Sequence, residues 1–326
     1  MIVVTGGAGF IGSAIVWKLN KLGESDVIIV DELGKDEKWK NLTGINFYDF
    51  INKDEFINRL DSLLDSGIKA IIHMGANSST TEKDADHLLN NNFEYTRKLA
   101  QFSVKNNIRF IYASSAATYG DGSLGFNDDE TIVPRLRPLN MYGYSKNLFD
   151  IWAIKENLMD KITGIKYFNV YGPNEYHKGD MRSVVNKAYE QILATGKVKL
   201  FKSQLATYKD GEQMRDFVYV KDAIDMTLYF LDKKEINGLF NVGSGKARTW
   251  NDLVTAIFKA LNKPVNIEYI DMPGHLAAKY QYLTEAKLDK IKKAGYSKSI
   301  SSLEDGVTDY VKNYLIKNNY LDFNDD

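Results

Sequence analysis

The chain has 326 residues with 42 Lys and Arg against 43 Asp and Glu, a net charge of −1, four His and no Cys. That length supports a large core split into two lobes. The absence of Cys excludes disulfides, thiolate metal sites and a Cys nucleophile, and the balanced charge argues against nucleic acid or an anionic membrane as partner. In chain order, β-rich runs are predicted at Ile2 to Thr5, Asp26 to Asp31, Ala70 to Met74, Phe110 to Ala113 and Ile165 to Phe168. Between them, apolar residues at spacings of three and four predict helices over Ile11 to Leu22, Lys53 to Leu64, Asp84 to Asn106 and Tyr142 to Asn157. This alternation is the rhythm of a parallel sheet with crossover helices, an α/β fold.

After about residue 169 the pattern loosens. A loop is expected over Val170 to Asp180, a helix over Val184 to Thr195 and a polar stretch over Ser203 to Gln213. Strands return at Phe217 to Val220 and Leu239 to Val242, and helices at Trp250 to Leu261 and Leu303 to Leu315. Both returning strands are expected to rejoin the first lobe. That divides the chain into residues 1–169 with about 214–245, and a smaller α/β lobe of 170–213 with 246–326. Met1 runs straight into an apolar strand, with no basic leader and no 18-residue apolar run, so a cytoplasmic, soluble protein is expected.

Directly after the first strand, Thr5-Gly-Gly-Ala-Gly-Phe-Ile-Gly12 opens a helix. Its glycines fit both GxGxxG and GxxGxxG spacing. They allow a tight turn, close approach of backbone to a pyrophosphate, and free N–H groups at a helix N-terminus where the dipole favours anions. In this strand–turn–helix context the motif predicts a doubly wound Rossmann sheet that binds a dinucleotide. Asp31, at the end of the second strand, suits the adenosine ribose hydroxyl of NAD. Lys35, Lys38, Lys40 and Lys53 follow, and a lysine there can instead meet the 2′-phosphate of NADP.

Tyr142-Gly-Tyr-Ser-Lys146 places a phenol and an ammonium four apart on one helix face. A phenol titrates near 10, so Tyr142 acts as a base at neutral pH only beside a cation, and Lys146 is that cation. Ser115 stands at the C-terminal end of a strand, where it can steady a substrate oxygen.

TGGAGFIG, SSAATYG and YGYSK together resemble the extended short-chain dehydrogenase/reductase family. In that family the Tyr removes a proton from a sugar hydroxyl while hydride passes to the nicotinamide. The family's dehydratases carry an acidic pair after the strand-end Ser or Thr. Ala116-Ala117 stand there in this chain, leaving an epimerase or a reductase.

Longer strings resemble the ADP-L-glycero-D-manno-heptose 6-epimerases: HMGANSSTTEKD at 73–84, YASSAATYGD at 112–121, YFNVYGPNEYHKGDM at 167–181 and RDFVYVKD at 215–222. The resemblance implies Lys178 as a second base beside Tyr142, one for each face of a ketone at C6″. It implies a cofactor site of Gly6, Gly9, Phe10, Ile11, Gly12, Asp31, Glu32, Lys38, Lys53, Met74, Gly75, Ala76, Asn77, Ser78, Asn91, Lys146, Val170 and Lys178, with NADP expected and NAD the alternative. It implies a substrate site of Ser115, Asn169, Asp180, Lys187, Phe201, Lys202, Ser203, Gln204, Arg215 and Tyr280. A nucleotide-activated heptose is the expected substrate and its C6″ epimer the product, feeding bacterial lipopolysaccharide core. A homo-oligomer is expected, because family members are often pentamers. His177 is a competing base, set aside because the sequence shows no partner to orient it.

Two departures stand out. The segment between Phe201 and Arg215 is longer and more polar than in better-known members, and Asp180 and Lys187 replace an expected Ser and His. Both fall among substrate contacts. The competing readings are therefore a UDP-hexose 4-epimerase or nucleotide-sugar reductase, and a non-catalytic NADP sensor. The intact Ser115, Tyr142 and Lys146 speak against the sensor.

Overall fold

The computed structural model describes residues 1–274 and 280–324. The apolar run Ile2–Thr5 forms β1, with all four residues buried. Next come β2 (Val27–Asp31), β3 (Asp49–Asn52), β4 (Ala70–His73), β5 (Arg109–Ser115) and β6 (Thr163–Tyr167). The later strands are β7 (Asn169–Tyr171), β8 (Val198–Phe201), β9 (Met214–Tyr219), β10 (Gly238–Val242), β11 (Ala247–Thr249) and β12 (Ile267–Ile270).

Seven strands make one sheet in the order β10-β6-β5-β4-β1-β2-β3, every pair parallel. Strands covered on both faces read as continuous apolar runs, and β1, β2 and β4 are buried throughout. The chain winds outward in both directions from β1, so a crevice opens beyond the paired C-terminal ends of β1 and β4, where the connections after them lead apart. That is where doubly wound sheets bind ligands. The helices Phe10–Lys21 and Met141–Lys155 border the crevice. The second is started by Asn140, whose side chain accepts from the Gly143 N–H at 2.8 Å.

Two small sheets lie outside the large one: β11-β9-β7, and β12 with β8. Only one returning strand rejoins the large sheet. Gly238–Val242 pairs with β6, but the run at Phe217 lies between β7 and β11 instead. Buried Asp216 explains its place, because its carboxylate accepts from the N–H groups of Ser244, Gly245 and Ala286 and ties the small sheet's loops to it.

Other expectations are corrected in detail. The strand Asp49–Asn52 went unseen because only Ile51 of its four residues is buried. The helix expected to reach Leu64 stops at Asn58 and resumes as a 3-10 turn over Asp61–Ser66. The stretch after Asp84 contains a π-turn at Leu89–Glu94, a frequent mark of functional sites. The expected loop after Asn169 begins as β7 and ends in a 3-10 turn at Tyr176–Met181.

Candidate active site

The glycine loop is folded as tightly as its composition allows. Gly6 has φ 65°, and a Cβ there would stand 2.6 Å from Gly75 N. A Cβ on Gly12 would stand 2.0 Å from Gly6 O. The helix at Phe10 begins on Gly9, with no side-chain cap and no acidic residue in its first turn. Its N-terminal N–H groups therefore face the cleft ready for an anion, and the loop fits a dinucleotide pyrophosphate.

The cleft encloses about 640 Å³. Every residue expected at the cofactor lines it: the loop positions Gly6, Gly9, Phe10, Ile11 and Gly12; Asp31, Glu32, Lys38 and Lys53; Met74 through Ser78; and Asn91, Lys146, Val170 and Lys178. Ser115, Tyr142 and Asn169 line the same cleft. Asp36, Ser79, Tyr95, Tyr167 and His177 also line it and were not foreseen as cofactor or substrate contacts. Tyr95 had a readable cue, lying on the predicted helix that carries Asn91, and His177 is weighed from sequence only as a base.

At one end, Asp31 accepts from the Ala8 N–H at 2.9 Å and from Lys38 Nζ at 3.1 Å. Lys38 also donates to the Glu32 carbonyl at 2.7 Å, and Lys53 stands 3.6 Å from the Glu32 carboxylate. Two ammonium groups thus converge where an adenosine ribose would lie. Asn92, fully buried in the π-turn, accepts from Asn77 N–H and donates to Asn77 O and Ser145 Oγ. It joins the Met74–Ser78 loop to the helix of Tyr142 and Lys146.

At the other end, Ser115 Oγ accepts from the Ala117 N–H at 3.1 Å, so its own proton is free to be donated. Tyr142 stands on the facing helix. Burial pushes its phenol up, opposed by a hydrogen bond with Ser115. Burial also lowers Lys146 to about 8, with Asp150 pulling the other way. Lys146 Nζ donates to Ala113 O at 2.8 Å. Both shifts disfavour an isolated charge, so the phenolate forms only with positive charge beside it.

Behind Ser115 lies a charged network sealed from solvent. Asp150 accepts from Lys166 at 2.6 Å, Ser114 at 2.7 Å and Tyr112 at 2.9 Å. Lys166 also donates to Thr118, and Thr118 to the Ser115 carbonyl.

Lys178 enters from the 3-10 turn Tyr176–Met181. Its ammonium lies 5.3 Å from the Phe10 ring centroid, and burial lowers its pKa against the opposing charge of Glu175. Its neighbour His177 does have an orienting partner, which corrects the sequence reading. Asn41 Nδ2, fixed as a donor by the carbonyls of Ala8 and Asn174, sits 3.3 Å from His177 Nδ1. Burial and the Lys38 charge lower His177 to about 4, so it is neutral at physiological pH and a weak base.

The remaining expected substrate residues do not line this cleft. The Arg215 guanidinium packs between Trp250 and Tyr280, 5.7 and 5.1 Å from their ring centroids. Tyr280 OH accepts from Trp250 Nε1 at 2.9 Å. Phe201 ends β8, Lys202 pairs with Asp271 at 3.0 Å, and the backbone N–H groups of Ser203 and Gln204 donate to Asp210 and Tyr282. Asp180 and Lys187 are bonded, Lys187 Nζ donating to the Asp180 backbone carbonyl at 3.2 Å. An aromatic and cationic surface of this kind suits a nucleotide base and diphosphate.

Among the described residues, no cluster of three acidic or His side chains could hold a metal ion, and no helix is long and apolar enough to cross a membrane.

Residues 2–243 match the NAD dependent epimerase/dehydratase family. The ADP-L-glycero-D-manno-heptose-6-epimerase of Nitratidesulfovibrio vulgaris strain DP4 is 56% identical over 97% of this chain and 98% of its own length. The Fusobacterium nucleatum protein of the same name is 51% identical over 97% and 98%. Among solved structures, the Helicobacter pylori ADP-L-glycero-D-manno-heptose-6-epimerase superposes with a TM-score of 0.79 at 28% identity, covering 96% of this chain and 95% of that one. A UDP-N-acetylglucosamine 4-epimerase from Methanobrevibacter ruminantium superposes with 0.81 at 25% identity, covering 97% and 98%. The chain belongs to the NAD dependent epimerase/dehydratase family and, within it, to the branch of the relatives named ADP-L-glycero-D-manno-heptose-6-epimerase.

Proposed function

We propose that this chain inverts C6″ of ADP-D-glycero-D-manno-heptose to give the L-glycero epimer, for bacterial lipopolysaccharide core, through a ketone formed and reduced within one cleft. The observation that carries this reading is the convergence of Ser115, Tyr142, Lys146 and Lys178 on the cleft beneath the glycine loop. Bound NADP supplies reversible acceptance of hydride. Tyr142, as the phenolate that Lys146 favours, takes the proton of the C6″ hydroxyl as hydride leaves C6″, and returns it when the ketone is reduced on the same face. Ser115 donates to the substrate oxygen.

Epimerisation requires the carbonyl to present its other face, and its oxygen then meets a different wall. Lys178, which lines the same cleft as Tyr142, is the group assigned there, and burial, which lowers its pKa, eases release of its proton. Lys38 and Lys53 support NADP over NAD, because a 2′-phosphate would be met by two cations beside Asp31. We assign residues 1–169 and about 214–245 to the cofactor lobe and the rest to the substrate lobe, with β9 at the seam. A cytoplasmic homo-oligomer completes the reading.

The test is incubation with ADP-D-glycero-D-manno-heptose in D₂O, without added cofactor, followed by NMR at C6″. The L-glycero epimer free of deuterium at C6″ is expected. No epimer, with turnover of a UDP-hexose instead, would move the chain to 4-epimerase chemistry.

A further inference from the structure

We propose that Asn174 is a positioning residue for Lys178, through which the segment 319–323 and the helix Phe10–Lys21 hold the Lys178 loop in register with the cofactor lobe. This rests on the reading of Lys178 as a proton-transfer group.

Asn174 is fully buried and has φ 74°, a left-handed conformation that Asn tolerates better than most residues. Its side chain joins two distant segments. Nδ2 donates to Ser13 Oγ at 2.9 Å, and Oδ1 accepts from the Leu321 N–H at 2.9 Å. Its carbonyl accepts from Asn41, which also donates to Ala8 O in the glycine loop. One residue is thus tied to the first helix, the glycine loop and the C-terminal segment.

That segment is itself fastened along its length. Trp17 Nε1 donates to Asp322 O at 2.9 Å, the Phe323 N–H to Gly44 O at 2.8 Å, and Tyr176 OH to Asn319 O at 2.8 Å. Leu321 is fully buried, and a Cβ on Gly44 would meet Leu321 O at 2.7 Å, so the backbones approach as closely as glycine permits.

From Asn174 the path to Lys178 is short and braced. Glu175, also buried, accepts from Ser183 N–H and Oγ, and the Lys178 N–H donates back to Glu175 O at 3.0 Å. The ammonium is therefore set by a backbone whose anchor is Asn174. A displacement of about 1 Å at a catalytic group costs on the order of 100-fold in rate.

The test uses the cofactor-loaded enzyme and the variants Asn174→Gly, Lys178→Met and the double variant. Asn174→Gly keeps the left-handed backbone while deleting both side-chain bonds. Expected is a fall in kcat of about 10- to 100-fold, with KM and retained cofactor little changed, and faster hydrogen exchange over 174–181. The double variant is expected to be no slower than Lys178→Met alone, since a lost base needs no positioning. Trp17→Phe, which loosens the segment without touching the loop, gives a smaller loss of the same kind should Asn174→Gly fail to fold. Unchanged kcat, or losses that multiply in the double variant, overturns the proposal while leaving the role of Lys178 intact. Full activity in Lys178→Met overturns that role, and the proposal with it.

Discussion

Asp150 and Lys166 meet at 2.6 Å with neither side chain exposed to solvent, and Asp150 also accepts from Ser114, the neighbour of Ser115. A buried pair adds little net stability, because desolvation offsets attraction, but removing one partner strands the other. Lys166→Met is therefore expected to cost about 3–5 kcal/mol in denaturant unfolding. Asp150→Leu combined with Lys166→Met is expected to recover most of it. Equal losses in the single and double variants would mean that packing, not the stranded charge, sets the cost.

Lys146 offers a sign test. Its pKa falls from 10.5 to about 8 in the fold, so the folded state disfavours its charged form. The sign is the reverse of a stabilising ion pair: the destabilisation is fully present below about pH 8 and fades as pH rises towards 10.5. At about 1.4 kcal/mol per unit this is about 3 kcal/mol. Lys146→Met should abolish turnover yet raise Tm at pH 7, with the gain shrinking above pH 8. Thermal melts across pH 6 to 10 measure it, and a variant less stable than the parent at pH 7 contradicts the assignment.

The proposed preference for NADP rests on Lys38 beside Asp31 and Lys53 beside Glu32. Lys38→Ala with Lys53→Ala is expected to weaken NADP binding by about 10-fold or more while leaving NAD within a few-fold, since a lysine contact to a 2′-phosphate would be charge-assisted. Titrations of stripped enzyme at two salt concentrations read this directly. Equal losses for both cofactors would place the lysines elsewhere than at the 2′-phosphate.

The sequence made the cleft legible because its chemistry is local. A glycine loop between strand and helix, and a Tyr and Lys one turn apart, carry their geometry in their spacing. The large sheet was legible for the same reason, since β1, β2 and β4 are buried on both faces and read as apolar runs. What escaped is non-local. Asp49–Asn52 is an edge strand with one buried residue, and periodicity has nothing to mark there. Met214–Tyr219 looks like any other strand, and its sheet is chosen by hydrogen bonds to Asp216 from segments nearly 30 to 70 residues away. His177 seemed unpartnered because its partner, Asn41, is 136 positions distant.

The glycine loop yields a graded prediction. At Gly12 a Cβ would stand 2.0 Å from Gly6 O, backbone that cannot yield without moving the helix off the loop. At Gly9 the nearest atom is the same oxygen at 3.1 Å, a conflict relieved by a shift of a few tenths of an ångström. Gly12→Ala is therefore expected to cost about 3 kcal/mol or more of cofactor binding, roughly 100-fold, and Gly9→Ala about 1 kcal/mol, roughly fivefold. Cofactor retained through gel filtration, read from the absorbance spectrum, separates the two. If Gly12→Ala keeps its cofactor while Gly9→Ala loses it, backbone approach to the ligand at Gly9, rather than packing of helix on loop at Gly12, is what the motif protects.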